Sequence, residues 1–148
     1  MKLLQEASIR VFVHATESEE KVRKILLDLL PQGTKLQSTK LKGHFGNPIL
    51  CLDTCLSEEA KILELWKKIY RGLSIEAGIL SQRLLDRMEE SSLYLRLDKQ
   101  LAAEGKLSLT ESGDAIHIRL RLGGPPSPEE KIKMLILEAE KEIHSGKI

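Results

Sequence analysis

The stretch Ile9-Arg10-Val11-Phe12-Val13-His14-Ala15-Thr16, running on into Glu17-Ser18-Glu19-Glu20, decides how this chain is read. Ile9, Val11, Val13 and Ala15 alternate with Arg10, Phe12, His14 and Thr16. A period of two belongs to a strand with one buried face. Thr16 and Glu19 then form a capping box, and Glu17 and Glu20 suit the positive end of a helix. Val22, Ile25, Leu26 and Leu29 make one apolar stripe at helical spacing, which Pro31-Gln32-Gly33 ends. The segment is a strand feeding a helix.

The same two periods organise the rest. Residues 34–45 are polar and basic, Gly46-Asn47-Pro48 reads as a turn, and Ile49-Leu50-Cys51-Leu52 is apolar on both faces. Residues 35–45 and 49–56 therefore form a hairpin. Ser57 caps a second helix with the stripe Ile62, Leu65, Trp66 and Ile69; a break falls near 71–74, and a further helix ends around Glu90. Leu93, Leu95 and Leu97 alternate as a strand, 99–104 is a single turn closed by Gly105, and Leu107 and Leu109 give another strand. Ile116, Ile118, Leu120 and Leu122 alternate with His117, Arg119 and Arg121. Ser127 and Pro128 start a last helix, 127–146, which reads as an appendage to a single domain spanning 1–148. The order βα-ββ-αα-βββ-α predicts an α+β fold, with helices packed on one face of an antiparallel or mixed sheet.

Composition narrows the function. The chain has 148 residues, 41% hydrophobic and 30% charged, which suits one globular domain. Cys51 and Cys55, placed on one strand, lie about 13 Å apart and make neither a disulfide framework nor a complete structural zinc site. The N-terminal residues do not form a signal peptide, and no apolar run is long enough to span a bilayer, so a reduced, soluble, cytoplasmic protein is expected. His14, His44, His117 and His144 are scattered, and phosphate-loop, nucleophile-elbow and dinucleotide motifs are missing. Neither an enzyme nor a cofactor or metal requirement is expected.

The net charge is only +1, so any polyanion site must come from where charges sit. Segments 17–30, 58–90 and 129–148, read as helical, hold 16 acids and 13 bases, while the remainder holds 6 acids and 10 bases. The positive charge therefore belongs to strands and turns. Lys40, Lys42 and His44 share one side of their strand; Arg10 with His14, Arg96, and Arg119 with Arg121 oppose the apolar residues of theirs. A sheet face showing Lys and Arg from several strands would concentrate positive potential. Lysines also discourage pairing at sheet edges, and parity alone leaves both readings open. In Lys42-Gly43-His44-Phe45-Gly46-Asn47-Pro48, the glycines would let a phosphate approach the backbone, with Lys42, His44 and Asn47 as donors; a hairpin with a glycine bulge is the plainer reading. Arg96, Lys99 and Gln100 would likewise reach phosphate or ribose. The RNA-contact candidates are Lys35, Lys40, Lys42, His44, Asn47, Arg96, Lys99 and Gln100, with Arg119 and Arg121 secondary. Aromatic residues are few, which disfavours single-strand stacking and favours structured or double-stranded RNA held by its backbone. The rival expectation is a protein-interaction or dimeric scaffold subunit that makes no direct RNA contact.

Three strings are familiar together: Ile9-Arg10-Val11-Phe12-Val13-His14-Ala15-Thr16-Glu17, Gly43-His44-Phe45-Gly46-Asn47-Pro48-Ile49, and Leu95-Arg96-Leu97-Asp98-Lys99-Gln100 with Ala102. In this order, over roughly residues 8–122, they resemble an archaeal RNA-binding family described as predicted exosome-associated subunits. The resemblance implies a double-stranded-RNA-binding-domain-like fold, also likened to that of the large-subunit ribosomal protein five. It implies a non-catalytic, homodimeric RNA-binding protein with exosome or ribosome-associated partners.

Overall fold

The structure is a computed structural model that describes residues 2–43 and 45–145. Its strands are β1 (Leu4–His14), β2 (Gln37–Lys42), β3 (Pro48–Leu56), β4 (Met88–Glu89), β5 (Ser92–Asp98) and β6 (Ala115–Leu122). Its helices are α1 (Glu19–Leu29), α2 (Glu59–Leu73), α3 (Ala77–Leu85), α4 (Lys99–Ala103) and α5 (Pro128–Ser145). The strands form one six-stranded sheet in the order β2-β3-β1-β6-β5-β4, every pair antiparallel. The fold is α+β, with the antiparallel form of the sheet.

Strand parity decides which side the helices cover. Ala7, Ile9, Val11 and Val13 of β1 are buried, as are Leu93, Leu95 and Leu97 of β5 and Ile116, Ile118, Leu120 and Leu122 of β6. Onto this face α1 brings Val22, Ile25, Leu26 and Leu29, and α2 brings Ile62, Leu65, Trp66 and Ile69. Leu80 and Leu84 of α3 and Ile132, Leu135, Ile136 and Ala139 of α5 complete the core. Helix α5 is therefore a core element and not the appendage expected for 127–146. The buried Trp66 Nε1–H donates to the Leu135 carbonyl at 2.8 Å, joining α2 to α5.

Several boundaries differ from the sequence reading, each for a local reason. Strand β1 starts at Leu4, five residues before Ile9, because a register shift between Leu4 and Glu6 breaks the alternation there. Ser18, not Thr16, caps α1 by accepting from the Lys21 amide. Residue Glu58 precedes α2 where Ser57 was expected to cap it. The break near 71–74 falls at Ser74, in the left-handed region at φ 52°. Helix α3 stops at Leu85, short of Glu90, because Met88 and Glu89 turn back to pair with Leu93 and Ser92 through Glu90 at φ 56°. In place of a strand at Leu107 and Leu109 there is only an isolated bridge, Leu97 to Leu109.

One buried cation ties the sheet's end together. Asp98 caps α4 by accepting from the Leu101 amide, and this turn drives Lys99 inward to 7% exposure. An ammonium has three protons to place. Lys99 Nζ donates to the Phe12 carbonyl at 2.8 Å, Glu17 Oε1 at 2.9 Å and Asp114 Oδ1 at 3.1 Å. Glu17 also accepts from the His14 amide, and Asp114 also contacts His14 Nε2. The end of β1, the turn into α1, α4 and the approach to β6 thus share one ion. Desolvation pushes the Glu17 carboxyl up, but the His14 amide and the Lys99 ammonium outweigh it and hold it below its ordinary value. For Asp114, desolvation is likewise outweighed by hydrogen bonds from Lys99 and His14.

Two outcomes follow from this packing. Trp66→Phe removes a buried donor and shrinks the ring, so urea unfolding should show a loss of about 1–3 kcal/mol; an unchanged midpoint would leave the α2–α5 bond without weight. Depressed carboxylates contribute stability above the ordinary carboxylate pKa, and that stability is lost as pH falls through their lowered values. Lys99→Met should therefore cost about 1–3 kcal/mol at pH 7, and the gap from the parent chain should shrink below about pH 4. A gap independent of pH would contradict the ion's role.

Candidate nucleic-acid interface

The sheet face away from the helices is where outward parity sends polar residues. Ser8, Arg10, Phe12 and His14 point there from β1, and the pairing order makes them neighbours of specific residues. Arg10 pairs with His117, which pairs with Arg96; Ser8 pairs with Arg119, which pairs with Tyr94. With strands about 4.8 Å apart, Arg10 and Arg96 are roughly 10 Å from each other with His117 between them. Arg119 lies two residues further along β6, about 7 Å on, and Arg121 follows it. The face curls into a hollow of about 1300 Å³, bounded by Lys35 and Gln37 before and in β2 and by Glu89 in β4.

Three of these arginines rest on neutral groups. Arg96 Nη1 donates to the Glu111 carbonyl at 3.1 Å, and Arg119 Nε donates to Ser92 Oγ at 3.0 Å. The Arg119 guanidinium lies 5.9 Å from the Tyr94 ring centroid, and that of Arg10 lies 5.8 Å from the Phe12 ring. Among the described residues, none of Arg10, Arg96, Arg119 and Arg121 has a carboxylate within 4.0 Å. Several cations elsewhere are paired, among them Arg23 with Glu19, Lys24 with Asp28 and Arg87 with Glu111. The hollow is not uniformly positive, since Asp53 stands opposite both Arg10 and Gln37, and Asp86, Glu89 and Glu111 line it as well.

The expected contacts separate into groups. Arg96, Arg119 and Arg121 lie on the uncovered face, and Lys35 lines its hollow. Lys40 and Lys42 pair with Leu50 and Pro48, and Leu50 pairs in turn with the buried Val13. Both lysines therefore point to the helix side, where β2 lies beyond the helices and is exposed along its whole length. The single cationic flank expected from parity is two surfaces, an arginine face and a lysine edge. Asn47 is exposed in the turn, where its carbonyl accepts from the Gly43 amide at 2.7 Å. It shares a small hollow with His14. His44 lies outside the described residues. Gln100 is exposed on α4, whereas Lys99 is buried with all three protons engaged, so it does not meet a ligand. Arg10, His117 and Tyr94 were absent from the expected contacts. Their alternation is readable in each strand, but the β1-β6-β5 order that makes them neighbours is not.

Among the described residues no three His, Cys, Asp or Glu side chains gather as a metal site requires. No described helix is long and apolar enough to cross a membrane. A family model described as RNA binding matches residues 6–122. The RNA-binding protein PAB1135 of Pyrococcus abyssi is 31% identical over 137 residues, covering 88% of this chain and 89% of that protein. Two solved structures share the architecture. Protein AF2318 of Archaeglobus fulgidus, assigned to DUF54, superposes with a TM-score of 0.75 at 35% identity, over 92% of this chain and 99% of that one. Mth689, a DUF54 protein of Methanothermobacter thermautotrophicus, does so with a TM-score of 0.77 at 29% identity, over 93% and 98%. The family match ends at Leu122, so it spans the sheet from Glu6 onward and helices α1 to α4. On that match, which spans most of its length, the chain belongs to the RNA-binding family.

Proposed function

We propose that the chain binds structured or double-stranded RNA, gripping phosphates with the arginine face and the lysine edge. One observation carries this reading. Four arginines from three adjacent strands, Arg10, Arg96, Arg119 and Arg121, share a face that no helix covers and lack carboxylate partners among the described residues. A guanidinium held by neutral acceptors keeps its charge and its planar fork for phosphate oxygens. The low-dielectric sheet beneath strengthens their field although the whole chain carries only +1. Lys40 and Lys42 add a second row at the edge, about 7 Å apart, for phosphates of a duplex lying across it. The name of the Pyrococcus abyssi relative points the same way. Exosome association and a homodimer come with the family resemblance, and copurification and solution mass are their tests.

Electrophoretic shifts with a paired RNA stem at several salt concentrations test the binding. The parent chain should lose affinity steeply with salt, by counterion release. Lys40→Ala with Lys42→Ala, and separately Arg96→Ala with Arg121→Ala, should each flatten the slope by up to about two, with far-ultraviolet dichroism unchanged. A parent chain that binds no RNA, or whose slope neither pair alters, would overturn the proposal in favour of a scaffold subunit.

A further inference from the structure

We infer that the hollow on the uncovered face takes unpaired bases of a structured RNA, with Tyr94 as the stacking platform. The inference rests on the RNA-binding reading above and adds base contacts to its backbone grip. Tyr94 leaves 43% of its surface in water on a face made mostly of polar and charged groups. Its ring is backed by the Arg119 guanidinium, and Arg96 lies two residues further along the same side of β5. Unpaired bases are recognised by stacking on such aromatic and guanidinium planes, while neighbouring arginines hold the flanking phosphates.

The mixed charge of the hollow points to bases as well. Asp53 would repel a bare run of phosphates, but it accepts hydrogen bonds from base amino and imino groups. Gln37, paired with it across the strands, offers both a donor and an acceptor. His117 Nε2 donates to the Gly113 carbonyl at 3.0 Å, which holds the ring on this face between Arg10 and Arg96. Shape agrees: a duplex buries its base faces within the stack and presents a convex backbone, so only unpaired nucleotides reach the floor of a concave surface of about 1300 Å³.

The test uses three RNAs with a common stem: a blunt duplex, the same duplex with a three-nucleotide bulge, and the single strand. Affinities are measured for the full chain and for Tyr94→Ala and Tyr94→Phe, each checked by dichroism. The parent chain should prefer the bulged stem to the blunt one by about tenfold, from the stacking of one base. Tyr94→Ala should abolish that preference while binding the blunt duplex as the parent does, and Tyr94→Phe should restore it. A parent chain without preference, or a preference that survives Tyr94→Ala, overturns the base pocket and leaves backbone binding standing. Failure to bind all three RNAs overturns both.

Discussion

Everything in this molecule follows from covering an antiparallel sheet on one side only. Antiparallel strands tolerate this because each can bury alternate side chains and hydrate the others. Ile9, Val11, Ile118 and Leu95 meet the helices, and Arg10, Arg119, His117 and Arg96 meet water. The observed helices hold 10 acids and 12 bases and the rest of the chain 12 and 11, so the expected split of charge between helices and strands does not hold, and strand parity alone sets out the arginines. A chain with almost no net charge thereby gathers arginines from three strands on one face, with Asp53, Glu89 and Glu111 beside them.

The three strings that make the family recognisable meet at one end of this sheet, and most of their residues are architectural. Glu17 from the first string and Lys99 from the third share a hydrogen bond, and Phe12 of the first lends its carbonyl to the same ammonium. Asn47 and Gly43 of the middle string close a turn beside His14. A buried ion with three obligatory acceptors tolerates few substitutions, because removing one partner leaves the others unmatched. A solvated arginine on a strand face carries no such constraint. Sequence that is distinctive for folding need not be the sequence that touches the ligand, and Lys99 illustrates the difference.

How far the sequence could be read depends on whether a strand carries its own reference. Strands β1, β5 and β6 each have buried residues, so their alternation identifies the outward arginines without coordinates. Strand β2 is exposed at every position, so nothing within it distinguishes the two sides. The direction of Lys40 and Lys42 is settled only by their pairing with β3. The β1-β6-β5 adjacency is a long-range property, and local periodicity is silent on it. The helix stripes of α1 and α2 were fully legible, whereas β4 is two residues long and offers no period at all.

The account's central claim is that RNA meets the uncovered face. Ultraviolet crosslinking of a bulged RNA stem to the full chain, followed by mapping of the modified peptides, tests it most directly. Adducts should fall on peptides from β1, β5 and β6, with Tyr94 among the modified residues. Adducts confined to α3 and α5, with those three strands unmodified, would contradict it.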